Sequence, residues 1–274
     1  MLDASVEKSP TIDWLTVAAI SAIAISFNVA FHEGIHALVC LLTGGKLLAY
    51  SALYVDCDSA GIWQAKLVSG SASIANLFLG TVSWFLLRRS PSASYRFKYF
   101  LWLFMLMNWV YGAGYWMFSG IGNVGDWASV IKGWQPNWLW RVVMALAGTL
   151  IYMWLVKISL RELGRLIGGQ PGEQIRRARK LTFVSYFSAI LVIALTGLLN
   201  PMGFFSLPVI AGLMAVAGAT SPLLWMIPWF RSDAFPKSTK EPLEIHRSWG
   251  WVTIALVVVL LYVLILGPTI YFAQ

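Results

Sequence analysis

Long stretches without charge are the feature that most restricts how this chain can fold. Residues 182–230 contain no Asp, Glu, Lys, Arg or His. A helix needs roughly 20 mostly apolar residues to cross a bilayer, so this stretch is long enough for two spans. The Asn-Pro-Met-Gly sequence at 200–203 is typical of a turn and predicts the boundary between them.

Similar apolar runs occur along the rest of the sequence and predict further spans, at about 14–43, 67–87, 99–119, 138–160 and 249–273. Pro208, Pro222 and Pro228 are expected to kink or end the sixth helix. The total is seven spans, with six or eight as alternatives. Only 12% of the residues are charged and 58% are hydrophobic, a composition that a water-soluble fold could not accommodate. We therefore predict an all-α polytopic membrane protein.

The positive charge of the chain is distributed between the apolar runs. The net charge of +8 could suggest nucleic-acid binding, but short basic stretches beside spans set membrane orientation instead, so we expect no nucleic-acid partner. With seven spans, 16 of the 20 Lys and Arg residues share the side of the N-terminus. The other four are Lys46, Lys66, Lys132 and Arg141. The positive-inside rule then predicts a multi-pass protein of the cell membrane with a cytoplasmic N-terminus.

The segment between the first two spans has a different character. Tyr and Val in residues 46–55 favour strands, and the Asp- and Gly-containing residues 56–61 are typical of a turn. We expect a short β-hairpin here.

The only two cysteines are Cys40, in a span, and Cys57, in this loop. We do not predict a disulfide between them.

The first span contains the sequence His32-Glu33-Gly34-Ile35-His36. Residues four apart lie on one face of a helix, so the two imidazoles can bind a single Zn²⁺. Glu33 is close enough to take a proton from water on the metal without being a ligand. The chain has three His in all, and ionisable groups are costly inside a bilayer, which favours a functional site. The alternative is a buried polar cluster that holds helices together.

A catalytic zinc site needs a third protein ligand and leaves the fourth position for water. We predict Asp126, because it follows an apolar span and the chain crosses the bilayer twice between His36 and Asp126, which returns it to the same face. Its alternative role is a helix N-cap. Other candidate ligands lie in loops or at a helix start, and they are Asp13, Asp56, Cys57, Asp58 and His246.

Three segments resemble the site-2 protease family of intramembrane metalloproteases. The first is 31–39, which carries the His-Glu motif and is followed by Gly44-Gly45. The second, 72–77, resembles a small-residue motif that ends in Asn, here Asn76, but Ser73 replaces the family's Pro. The third, 122–127, stands where the family has a Leu-Asp-Gly ligand motif. The resemblance covers about residues 14–130 and indicates a divergent member.

The resemblance carries implications for other residues. In the family, asparagines placed like Asn76 and Asn108 orient substrate or support the site. Interhelical hydrogen bonding is the alternative, and for Asn108 we prefer it. Residues 46–55 resemble a family loop with an exposed strand edge, which could pair with an unwound substrate. An ordinary interfacial turn is an equal alternative.

The predicted function is that of an intramembrane zinc metalloprotease, with a membrane protein or transmembrane peptide as substrate and the bilayer as its surroundings. Residues 1–135 would form the three-helix core and 136–274 accessory spans. Alternatives are a membrane metal-binding or transport protein without proteolysis and a catalytically silent scaffold. The charge distribution places zinc toward the external face, whereas the family typically places it toward the cytoplasm.

Overall fold

The computed structural model describes residues 11–229, 235 and 242–272. Its helices are α1 (Trp14–Leu42), α2 (Ile62–Arg89), α3 (Tyr95–Gly122), α4 (Asp126–Ile131), α5 (Asn137–Ile167), α6 (Pro171–Leu198), α7 (Leu207–Thr220), α8 (Pro222–Trp229) and α9 (Trp249–Leu261), and α9 continues as a π-helical turn (Tyr262–Leu266). Its strands are β1 (Lys46–Tyr50), β2 (Val55–Asp58) and β3 (Ile270–Tyr271). The order confirms an all-α protein with a small sheet after the first helix.

Six helical segments in the described part of the chain are long and apolar enough to cross a membrane: α1, α2, α5, α6, the α7–α8 pair and α9 with its π-helical turn. They confirm a multi-pass membrane protein. The third predicted span is α3, which is equally long at 28 residues but contains polar aromatic residues. It lies in the centre of the bundle, against α1, α2, α5 and α7, with Tyr99 and Trp102 fully buried.

Several helices extend beyond the apolar runs that predicted them. The polar stretch 161–181, which lies between the apolar runs 138–160 and 182–230, is mostly helical, because α5 continues to Ile167 and α6 begins at Pro171. Gly168 and Gly169, both with positive φ, make the turn between them. Long basic side chains can reach the membrane surface from the last turns of a spanning helix. An apolar run therefore marks the membrane-embedded part of a helix and underestimates its length.

The proline-rich part of the chain follows the prediction in part. Residues 200–203 do form the turn after α6, with Gly203 at φ 88°. Pro222 marks the break between α7 and α8, and Pro228 lies inside α8. Pro208, however, is the second residue of α7, in the first turn, where its missing N–H costs nothing. The last span ends at Leu266 instead of 273, and the chain then forms β3.

The predicted hairpin is present, but its details differ from the prediction. The turn lies at 51–54, and Asp56, Cys57 and Asp58 belong to β2 instead of forming a turn. The sheet order is β2-β1-β3. Tyr50 is paired with Val55 on one side and Ile270 on the other. Neither alternative considered for 46–55, an edge strand or an ordinary turn, describes this segment: β1 is the central strand of the sheet, and β3 covers its second edge at Ala49 and Tyr50.

The structure contains a disulfide between Cys40 and Cys57, so the expectation of unpaired cysteines was wrong. Gly44, at φ 78°, reverses the chain after α1, and β2 then returns to the end of that helix. The two Cα atoms are 6.1 Å apart, within the usual range for a disulfide. The bond attaches the hairpin to the last turn of α1, one turn beyond His36.

Close approach of α2 and α3 positions the polar groups beside the motif. A Cβ on Gly112 of α3 would lie 2.6 Å from the carbonyl oxygen of Ser73 on α2. Only glycine permits helices to come this close. Asn76 and Asn108 are consequently within hydrogen-bonding distance of each other across the two helices.

Candidate metal centre

His32, His36 and Asp126 come together at one point in the structure. Their facing atoms form a triangle: the two Nε2 atoms are 3.3 Å apart, and each is 3.3 Å from Oδ2 of Asp126. Two ligands of a tetrahedral zinc with bonds of about 2.0–2.1 Å are separated by about 3.3–3.4 Å. Two nitrogens and one carboxylate oxygen at these separations fit a Zn²⁺ ion.

The opposite nitrogen of each imidazole is held by α2. Nδ1 of His36 lies 2.7 Å from the carbonyl oxygen of Val68, which can only accept, so Nδ1 carries the proton. Nδ1 of His32 lies 2.6 Å from Oδ1 of Asn76 and donates to it. In a neutral imidazole only one nitrogen is protonated. Both Nε2 atoms therefore direct a lone pair toward Asp126, as a metal ligand must.

The Asn76 amide is itself fixed by α3. Its Nδ2 donates to Oδ1 of Asn108 over 2.8 Å, and Nδ2 of Asn108 donates to the carbonyl oxygen of Phe104, also over 2.8 Å. Asn76 and Asn108 are fully buried. The interhelical hydrogen bond preferred for Asn108 is present. In this structure the two asparagines form a chain of hydrogen bonds that ends on His32.

Glu33 lies in the same helical turn as the two histidines and is 4% exposed. It is close enough to His32, His36 and Asp126 for electrostatic interaction, but it is not part of the triangle of ligand atoms.

Tyr50 of β1 lies over this turn, and its hydroxyl donates to the carbonyl oxygen of Ala30 over 3.2 Å. Burial and, secondarily, the Glu33 carboxylate raise the pKa of Tyr50, so its hydroxyl keeps its proton.

Asp126 is the first residue of the short helix α4, which is bounded by glycines with positive φ. Gly125 has φ 83° and Gly133 has φ 86°. Asp126 is not the N-cap, which is Gly125. Nε1 of Trp127 donates to Oγ of Ser73 on α2 over 2.5 Å. These bends and contacts direct the Asp126 side chain toward the two histidines.

The other end of α4 is also attached to α2. Nζ of Lys66 donates to the carbonyl oxygen of Val130 and, over 2.7 Å, to that of Lys132. A lysine at a helix C-terminus satisfies carbonyl groups that have no partner within the helix. The third candidate ligand is thus carried on a six-residue helix that α2 holds at both ends.

Two tyrosines of α3 enclose the His32 ring. Tyr111 meets it edge-on, with ring centroids 4.8 Å apart, and Tyr115 stacks on it at 4.9 Å. Tyr111 and Tyr115 are one helical turn apart, so both face α1. They limit the rotation of the ring and exclude lipid from this side of the centre.

The rival ligands lie elsewhere. Asp56 and Asp58 are exposed on β2, and Cys57 is in the disulfide. Asp13 caps α1 through Thr16 and pairs with Arg247, as expected for a helix-start residue. His246 is exposed and pairs with Glu244.

An apolar groove of about 860 Å³ opens beside the centre, between α1, α2 and α4. Its walls include Ile35 and Val39 of α1, Ile74 of α2 and Trp127 of α4. Ile35 belongs to the motif itself, and Trp127 follows Asp126. The groove is therefore lined by sequence neighbours of the candidate ligands and not by the ligands themselves, and its surface is almost entirely apolar.

Sequence reasoning missed the partners of the imidazoles and the aromatic walls. The Val68 carbonyl has no sequence signal, because any residue supplies one. Tyr111 and Tyr115 could have been noticed as an aromatic pair at helical spacing in a span that also contains Asn108.

Comparison with protein-family models, curated proteins and solved structures found no match to this chain.

Proposed function

We propose that this membrane protein is a zinc metalloprotease that hydrolyses peptide bonds in or near the bilayer, related to the site-2 proteases as a divergent member. The observation that carries the proposal is the triangle of His32, His36 and Asp126, with sides of 3.3 Å. Its donor set and dimensions suit zinc, and they leave a fourth position open, as in catalytic sites.

The protein's own residues have separate roles in this proposal. His32, His36 and Asp126 would hold the ion, while Asn76 and the Val68 carbonyl keep the imidazole lone pairs pointed at it. When bound, zinc would lower the pKa of water to near neutrality and polarise a carbonyl group. Without the Nδ1 partners, the rings would be held only by packing, such as that of Tyr111 and Tyr115 on His32, and the geometry would be less defined.

Glu33 would act as the general base and then as the general acid. It lies beside the ligands without belonging to the triangle, which leaves its carboxylate available for proton transfer. It would accept a proton from the attacking water and return it to the amine that leaves.

The apolar groove supports a membrane-embedded peptide as substrate. A soluble peptide would leave its polar groups unpaired against Ile35, Ile74 and Phe78, whereas an apolar segment would be favourably buried there. Ile35, within the motif, and Trp127, next to Asp126, both line the groove. A substrate segment in it would reach the candidate ligands along Trp127.

We also propose that the centre opens toward the external face and that the N-terminus is cytoplasmic, in the cell membrane. The distribution of basic residues supports this orientation. The Cys40–Cys57 disulfide supports it independently, because disulfides persist in oxidising compartments and this one lies at the motif's end of α1. Both arguments oppose the placement typical of the family.

The catalytic proposal is tested by Glu33→Gln. Cells that express the wild type or the variant are compared for new peptide termini within membrane proteins, and zinc is measured in both purified proteins. We expect Glu33→Gln to keep its zinc and to lose cleavage by about 100-fold or more, since a general base contributes that much. Exposed Glu244 provides the matched control, and Glu244→Gln should cleave normally.

Wild-type cleavage by a zinc-containing Glu33→Gln protein would exclude the proposed mechanism. If neither protein generates new termini although both bind zinc, the centre serves another purpose, such as metal binding without hydrolysis.

A further inference from the structure

A second polar site lies at the opposite end of the bundle from the metal centre. It is a cavity of about 430 Å³ between the end of α2, the start of α3 and the end of α5. Arg88 is 20 residues after Val68 on α2, which corresponds to about 30 Å along a helix. Basic side chains from all three helices, Arg88, Lys98 and Arg165, line the cavity.

A buried carboxylate organises these cations. Oε1 of Glu162, whose side chain is 6% exposed, accepts from Nε and Nη2 of Arg88 at 3.0 and 2.5 Å and from Nη1 of Arg165 at 3.0 Å. Nε1 of Trp84 donates to the same oxygen over 3.0 Å. The Arg88 guanidinium also lies 4.7 Å from the Trp84 ring centroid. The Arg88 guanidinium is therefore held by Glu162 and the Trp84 ring before any ligand arrives, whereas that of Arg165 is held by one hydrogen bond.

The cavity retains positive charge after this pairing. Glu162 can neutralise only one of the three cations, which leaves a net charge of +2 among the charged lining residues. Arg165 uses a single nitrogen on Glu162, and its side chain is 60% exposed, so its remaining N–H groups face the opening. Lys98 donates to the carbonyl oxygen of Pro91 and has further protons to offer. Guanidinium groups and an ammonium are the donors that phosphate oxygens prefer.

We propose that this cavity binds the phosphate of an anionic phospholipid headgroup. It lies where three helices reach the membrane surface, on the side that carries most of the basic residues. Basic pockets between spanning helices on that side are suited to lipid headgroups. Phe85, Leu86 and Phe97 are exposed in the same ends of α2 and α3, and they offer an apolar surface for the acyl chains. The site is independent of the metal centre and of the proposed hydrolysis.

The test measures binding of short-chain phosphatidylglycerol and phosphatidylcholine to the purified full chain in detergent. We expect the anionic lipid to bind at least tenfold more tightly. The double variant Lys98→Gln/Arg165→Gln should reduce this preference at least fivefold. Both side chains are partly or largely exposed, and a thermal unfolding scan confirms that the variant is folded. Arg176→Gln, exposed on α6 outside the cavity, is the matched control and should bind as the wild type does.

Three results would overturn the proposal. Unchanged lipid preference in the double variant would show that the cavity does not bind the headgroup. An equal loss in Arg176→Gln would show that diffuse surface charge accounts for the preference. Inorganic phosphate is also tested as a competitor of the anionic lipid. If phosphate displaces the lipid at equal concentration, the cavity recognises the free ion and not a lipid.

Discussion

At the scale of single residues, the candidate centre depends on groups that never touch the metal. His32 directs its lone pair toward Asp126 only while Nδ1 donates to Asn76. Asn76 in turn is held by Asn108. Outer partners of this kind affect metal affinity almost as strongly as the ligands do.

Asn76→Ala is therefore expected to weaken zinc binding by about 10- to 100-fold, the usual effect of removing such a partner. The measurement is competition with a chelator of known zinc affinity. Asn76→Asp keeps an oxygen acceptor for Nδ1 but loses the donor to Asn108, so its affinity should lie between those of Asn76→Ala and the wild type. Equal affinity in Asn76→Ala and the wild type would show that Tyr111 and Tyr115 orient the ring alone.

A site residue can be predicted from the sequence when its position follows from the geometry of one helix or from the order of the spans. His32, Glu33 and His36 are recognisable because helix geometry alone places them together. Asp126 could be selected by counting membrane crossings. The Cys40–Cys57 bond could not be predicted in this way, because it depends on how the hairpin folds back over α1. The position of the hairpin depends in turn on β3, more than 200 residues away in the sequence.

At the scale of elements, α4 determines whether the third ligand reaches the histidines. The helix has only six residues, which is too short to be stable by itself. Its position depends on Trp127, which bonds to Ser73, and on Lys66, which holds its C-terminal carbonyl groups. The binding of zinc and the attachment of α4 to α2 should therefore be coupled.

Two matched substitutions test this coupling. Trp127→Phe removes one hydrogen bond, worth about 1 kcal/mol, and is expected to weaken zinc binding about fivefold. The neighbouring Trp116 ring lies 4.9 Å from that of Trp127, but its buried Nε1 has no hydrogen-bond partner among the described residues. Trp116→Phe should therefore leave zinc affinity unchanged in the same chelator competition. Equal effects of the two substitutions would contradict a specific role for the bond to Ser73.

The secondary-structure elements were predictable where apolar runs define them and less so elsewhere. Seven helical segments follow the runs, because burial in a bilayer requires them. The ends of α2, α5 and α6 were missed, since helices continue with polar residues into the membrane surface. The central position of β1 was not predicted, because the two residues of β3, paired with Ala49 and Tyr50, lie within the apolar run assigned to the last span.

At the scale of the whole molecule, the basic residues and the disulfide indicate the same orientation. Lys132, exposed near the metal centre, and Gly172, at the start of α6, would then lie on opposite faces. We expect an impermeant maleimide to label Lys132→Cys in intact cells and to label Gly172→Cys only after permeabilisation. The native cysteines are bonded to each other and should not react.

The reverse labelling pattern would place the centre at the cytoplasmic face, as is typical of the site-2 proteases. It would also require the Cys40–Cys57 bond to persist in a reducing compartment, which is uncommon. A third cysteine at a position buried within α3 would serve as the unlabelled control under both conditions.

The zinc content of purified variants is the most direct test of whether His32, His36 and Asp126 together hold zinc. Wild-type protein should contain about one zinc per chain, as a single catalytic site requires. Asp126→Ala should lose most of it, whereas Asp56→Ala and Asp58→Ala, which alter exposed acids on β2, should retain it. A full zinc complement in Asp126→Ala would contradict the account.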